Sequence, residues 1–222
     1  MTDVALLYQK ILKSVSKFEN GNSSRLMSKM GLNYKKNSGV SIPEIDKLAQ
    51  NYRKNNQLAV FLLNQDEREV KLLAMRLFDY DLQPETFLED VLNSINNAEM
   101  AEQAAMHYFV NLSDFNKIAQ KLISHGNEYC RLSAYLAIAR YARFSKSASD
   151  RWFEELLVSY GLSEYSDETP PLKRAQSAML SAISLRSEDL RRKVHNCIQN
   201  KRFRTEELKR FYIEELESFF YN

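Results

Sequence analysis

The stretch Asn97-Ala98-Glu99-Met100-Ala101-Glu102-Gln103-Ala104-Ala105-Met106-His107-Tyr108-Phe109 decides the fold. Asn97 suits the N-cap of a helix, where a side-chain oxygen can take a backbone N–H left unpaired in the first turn. Met100, Ala104 and Phe109 with their neighbours form an apolar stripe, and Glu99, Glu102 and Gln103 occupy the polar side. One such helix cannot cover its own stripe. The pattern recurs in Lys71-Leu72-Leu73-Ala74-Met75, Arg131-Leu132-Ser133-Ala134-Tyr135 and Arg174-Ala175-Gln176-Ser177-Ala178, each opening on a long polar residue followed by small and apolar ones. Together with Gln103-Ala104-Ala105-Met106-His107 the offsets are 32, 28 and 43 residues. Helix pairs recurring every 30–47 residues or so are what HEAT-like and related α-solenoids look like, so the expected fold is an all-α solenoid rather than an irregular bundle.

Outward from the centre the same reading holds. Ser41-Ile42-Pro43-Glu44 is a capping box with proline in the first turn, Asp66 and Pro84 open helices on the way to Asn97, and Ser113 and Asn127 open the next two. Toward the N-terminus a helix is expected over 3–18, a short one over 23–29 and a polar loop over 30–40. Toward the C-terminus, helices are expected from the segment containing Trp152 to Gly161, then over 171–186, 187–200 and 205–221, with an acidic loop over 163–169. No segment alternates with period two, so no strands are expected. The expected organisation is one domain over 1–222: N-terminal helices and loop over 1–40, repeats over 41–204, and a capping helix over 205–222.

Composition narrows the function. Only five glycines and four prolines punctuate 222 residues, and no phosphate-binding, zinc-protease or serine-hydrolase motif is present. His107, His125 and His195 are scattered, and Cys130 and Cys197 have no metal-like spacing, so neither metal nor cofactor is expected. No uncharged apolar run of about 18 residues occurs, and the first residues do not resemble a signal peptide, so a cytoplasmic protein off the membrane is expected. The net charge is only +2, yet residues 172–210 carry eleven Lys and Arg against four Asp and Glu. Such a local excess suits a polyanionic partner.

In a solenoid the equivalent residues Lys71, Gln103, Arg131 and Arg174 would stack into one inner row, with Lys173 beside Arg174. A row of this kind suits a DNA backbone, each cation neutralising one phosphate.

Four segments resemble motifs of the AlkD-like DNA alkylation repair family over about residues 35–200. Ser38-Gly39-Val40-Ser41-Ile42-Pro43-Glu44-Ile45 with Leu48-Ala49 resembles its "GV…P.L…A" helix entry. Glu67-Arg68-Glu69-Val70-Lys71-Leu72-Leu73-Ala74 is similar to "HE.R..A", Asn97 to Phe109 to "NWD..D", and Glu128-Tyr129-Cys130-Arg131-Leu132-Ser133-Ala134 to "RR.A". The resemblance implies a HEAT-like surface that holds duplex DNA, damaged or structured. In active members it also implies a glycosylase that releases cationic alkylated purines. By position, Glu102 stands where those members have the Asp that assists base loss, and Arg131 where they have a phosphate-binding Arg. A fixed carboxylate there could stabilise the developing oxocarbenium ion or orient water.

Two departures from the motifs bear on chemistry. Ala98 replaces the first family tryptophan, and no aromatic stands near Ser177-Ala178 where a second would be expected. Trp152, the only tryptophan, is expected to pack between helices. The alternatives to a glycosylase are therefore a catalytically inactive binder of DNA structures, or a scaffold that grips a protein partner.

Overall fold

A computed structural model describes residues 3–82, 84–160, 169–200 and 205–220. Among them lie thirteen α-helices and no strand, one isolated bridge between Lys36 and Glu67 apart. The helices are α1 (Asp3–Val15), α2 (Gly21–Lys29), α3 (Ile42–Ala49), α4 (Asn56–Leu63), α5 (Arg68–Ala74), α6 (Leu88–Ser94), α7 (Ala98–His107), α8 (Phe115–Ile123), α9 (Glu128–Phe144), α10 (Asp150–Tyr160), α11 (Pro170–Ser184), α12 (Glu188–Asn200) and α13 (Glu206–Phe220). The caps form as expected: the Asn97 side chain accepts from the Met100 N–H at 2.9 Å, and Glu44 accepts from both the N–H and the hydroxyl of Ser41. The expected acidic loop over 163–169 and residues 201–204 lie outside the described residues, Thr169 excepted. The chain divides into two compact units, Met1–Leu112 and Ser113–Asn222.

In the first unit α3, α5 and α7 form one layer and run the same way, a direction fixed by two arginines. Arg68, at the start of α5, reaches the carbonyl before α3 and the first turn of α7. Arg76, just past the end of α5, reaches Asp46 in α3 and Gln103 in α7. Helices α1 and α4 pack on α5 from outside this layer, and α4 also packs on α6. The core is aliphatic, with Ile45, Leu62, Val70, Leu73 and Met100 fully buried, and the ring of Phe78 stacks edge-on against Tyr108 at 4.7 Å.

In the second unit the long helices α9 and α11 lie against each other. They are parallel: Thr169 donates to Glu128 where both begin, and Arg186 reaches the carbonyls of Ala142, Ser145 and Ala148 where both end. Small buried residues (Ser133, Ala134 and Ala137 on α9, Ala175, Ser177 and Ala182 on α11) let the backbones approach closely. Helices α8, α10 and α12 pack on one another in a second layer, and α13 closes the unit against α11 and α12, its Tyr212 hydroxyl donating to Gln176. Alternation of layers along the chain within each unit is the expected repeat organisation.

Helices are shorter than their patterns suggested where the chain must turn between layers. The helix expected after Asp66 stops at Ala74, because the Asn56 side chain binds the carbonyls of Asp79 and Leu82 and the N–H of Asp79. Those bonds take the backbone groups a continuing helix would need.

Candidate nucleic-acid interface

The first turn of α7 is fixed by charge. Arg68 is 1% exposed and its guanidinium makes four hydrogen bonds: two to Glu99, at 2.8 and 2.6 Å, one to the Val40 carbonyl at 2.9 Å and one to Glu69 at 3.0 Å. Glu69 in turn accepts from the N–H groups of Ser38 and Val40, and Glu99 accepts from the Tyr34 hydroxyl at 2.9 Å. Burial and the Glu99 carboxylate push the Tyr34 phenol far above its ordinary range, so it stays a donor. The loop over 34–40 is thereby tied to α5 and α7 together.

Glu102, one turn further along α7, is exposed and has no hydrogen bond or ion pair among the described residues. Partial burial of its stem, and then repulsion from Glu99, push its carboxyl above the ordinary carboxylate range. Because the side chain is exposed, water screens most of that burial effect. Glu102 is therefore the one acid of α7's polar side that nothing holds in place, since Glu99 is locked to Arg68.

The expected row of polar and basic residues is mostly engaged inside the protein. Gln103 is 5% exposed and accepts from Arg76 at 2.7 Å. Lys71 is half-buried in a polar cleft of about 350 Å3 that also holds Asp66 and Asn93, and its ammonium donates to the carbonyl of Leu63, the last residue of α4. Burial pulls the Lys71 ammonium below the ordinary lysine range. Arg131 donates to the carbonyls of His125 and Gly126, in the turn just after α8. Lys71 and Arg131 thus do similar jobs: each reaches back from the start of one helix to carbonyls at the end of the previous helix or in the turn just past it.

Lys173 and Arg174, in the first turns of α11, differ from these. Neither side chain has a hydrogen bond or ion pair among the described residues, and Arg174 is exposed. Of the rest of the basic C-terminal segment, four cations are ion-paired within the unit, while Lys209 donates to the Gln199 carbonyl and Arg210 is exposed without an ion pair among the described residues. Arg186 pairs with Asp150 at 2.9 Å and lies over the Phe153 ring, Arg191 pairs with Glu188, Arg192 with Asp189, and Lys193 with Glu154 and Asp189. Lys201, Arg202 and Arg204 lie outside the described residues.

Trp152 is 7% exposed in a cluster of rings, with centroids 5.9 Å from Phe115, 5.8 Å from Tyr141 and 4.8 Å from Phe153. Cys130 is buried, and burial pushes its thiol up to about 11. Among the described residues no group of three or more His, Cys, Asp or Glu side chains could hold a metal ion, and no helix is long and apolar enough to cross a membrane. Sequence reasoning missed Arg68 and Arg76, which lock the layer of α3, α5 and α7. Burial of an arginine leaves no mark in a local pattern, and only their offsets of about one repeat from Glu99 and Asp46 hinted at it.

Comparison with known proteins adds two findings. The family model described as "DNA alkylation repair enzyme" matches residues 9–205. A solved structure is similar over 95% of this chain and 94% of its own, with a TM-score of 0.75 at 13% identity. It comes from "a new family of proteins related to the HEAT-like repeat DNA glycosylases with affinity for branched DNA structures". No curated protein matches. The all-helical architecture is thus that of the HEAT-like repeat DNA glycosylases and their relatives.

Proposed function

The chain belongs to the DNA alkylation repair family, and on that premise we propose that it binds duplex DNA, structured or damaged, through the cationic first turns of α11, without excising bases. Lys173 and Arg174 support the binding half of this reading, because an unpaired cation can neutralise a phosphate without first giving up an internal partner. The observation that carries the second half is the burial of Trp152. It is the chain's only tryptophan, and among Phe115, Tyr141 and Phe153 it offers no open face to a cationic base. Glu102 argues the same way: a carboxylate that assists glycosidic cleavage needs a fixed position, and neither a hydrogen bond nor an ion pair supplies one.

The affinity of the similar structure's family for branched DNA sets the choice of probe. Mobility shifts on four-way, nicked and intact duplexes are combined with release of methylated purines from alkylated DNA. Binding is expected to weaken steeply with salt. Lys173→Ala/Arg174→Ala is expected to lower the log–log salt slope by about 2, each phosphate contact contributing about 0.9. No purine release is expected. Unchanged affinity in the double variant would remove α11 from the interface. Purine release that disappears in Glu102→Gln would replace the binding reading by a glycosylase.

A further inference from the structure

A second cationic surface lies at the other end of the chain. Residues 3–30 carry Lys10, Lys13, Lys17, Arg25 and Lys29 against only Asp3 and Glu19. All five cations are exposed, and none forms an ion pair among the described residues. Their spacing places them deliberately: Lys10, Lys13 and Lys17 follow i, i+3, i+7 along α1 and its 3-10 extension, and Arg25 and Lys29 follow i, i+4 along α2.

Helix α2 carries something more. Leu26 is 58% exposed and Met30, at its C-cap, 74%. At 100° per residue, Arg25, Lys29, Asn22, Leu26 and Met30 fall in that order within a single sector of about 140°. A cationic ridge therefore runs beside an apolar one. The opposite face is the one that packs, since Ser24 donates to the Asn37 carbonyl at 2.8 Å and the Asn37 amide contacts the Met27 sulfur. The loop beneath comes very close: a Cβ on Gly39, whose φ is +71°, would lie 2.2 Å from the Asn20 carbonyl oxygen. The exposed sector is thus held outward on a fixed base.

We propose that the Leu26–Met30 ridge of α2 docks on DNA at a branch point, the two apolar side chains covering the open face of a base pair while Arg25 and Lys29 hold the flanking phosphates. This rests on the DNA-binding reading above and adds a second contact to it. Charge complementarity selects the partner: Arg25 and Lys29, exposed, one helical turn apart and without an ion pair, run along one side of the apolar ridge, Arg25 donating only to the Gly21 carbonyl of its own helix, and the family's substrate is a polyanion. An intact duplex offers such apolar side chains no exposed base face without unstacking, whereas a branch point exposes one. The ridge therefore contributes discrimination between DNA forms, and the cations contribute affinity for all of them.

The test uses the full chain and compares a four-way junction with an intact duplex of equal length at matched salt. Leu26→Ser/Met30→Ser is expected to lose about tenfold on the junction, within what partial burial of two apolar side chains is worth, while intact-duplex affinity stays within about twofold. Arg25→Ala/Lys29→Ala is expected to weaken both DNAs and lower the salt slope by about 2. A 2-aminopurine placed at the branch point is expected to change emission with the wild type and not with Leu26→Ser/Met30→Ser. Wild-type junction binding that both variants retain in full overturns the proposal alone, and absence of wild-type binding to any DNA overturns it together with the DNA reading. Binding of phosphatidylserine vesicles that Leu26→Ser/Met30→Ser abolishes, with DNA binding intact, overturns it in favour of a membrane contact.

Discussion

Replacing Arg68 by methionine probes the ionic lock that holds the first unit. Methionine keeps the unbranched apolar stem of the side chain and removes four hydrogen bonds at once. The loss is worse than the sum of those bonds, because Glu69 is 1% exposed and Glu99 13%, and both keep their negative charge without a counterion. Removing one partner of a buried ion pair costs about 3–5 kcal/mol. At about 2–4 °C per kcal/mol for a chain of this size, Arg68→Met should melt roughly 10 °C below the wild type. The assay is thermal unfolding by far-ultraviolet circular dichroism, repeated for Glu99→Gln and for Arg68→Met/Glu99→Gln. The double variant should be more stable than the sum of the single losses by about 1–3 kcal/mol, since it no longer buries the second uncompensated charge. A single-variant loss under about 2 °C, or strict additivity, would refute the claim that Arg68 and Glu99 are coupled.

Gly39→Ala should destabilise the first unit by about 1–3 kcal/mol, because it forces a left-handed φ on an alanine and drives Cβ into the Asn20 carbonyl. The urea midpoint should fall with an unchanged slope, and an unchanged midpoint would count against the tight approach. Glu102→Gln tests the loose carboxylate. A group whose pKa is raised in the folded state contributes stability fully below its unfolded value and loses it as pH rises through the folded one. The charged form at neutral pH is therefore the unfavourable one, and Gln removes it. Melts from pH 4 to 7.5 should show equal stability at the acid end and a variant that is equal or slightly more stable at neutral pH, by less than about 1 kcal/mol. A variant less stable at pH 7.5 would mean that Glu102 has a stabilising partner.

Most of the architecture was legible because periodicity and caps are local. Asn97, Ser41 and Asn127 announce helix starts within three residues of the bonds they make, and the absence of alternating patterns excluded sheets. The helix ends were less legible. Helix α5 stops where Asn56, twelve residues before its first turn, takes up the backbone of 79–82, and the sequence of α5 itself carries no stop signal there. What ends that helix is tertiary, so a window on the helix does not contain it.

The site was harder to read than the fold for a reason particular to repeats. Any residue that does the same structural job in each helix pair recurs at the repeat spacing, so a regular row of cations is expected whether the row faces a ligand or not. Lys71 and Arg131 show this: both recur, and both bind carbonyls at the end of the preceding helix or in the turn just past it. The discriminating feature is distance along the chain. Lys71 lies eight residues after its acceptor Leu63, and Arg131 six and five after His125 and Gly126, so each can fold back on its own turn. Lys173 and Arg174 enter their helix behind Thr169-Pro170-Pro171, and Thr169 is tied instead to Glu128 of α9. Prolines at that position stiffen the approach and supply no N–H for a cap. A cation that follows a stiff entry is left to solvent or to a partner, and that difference, rather than recurrence, separates Lys173 and Arg174 from the rest of the row.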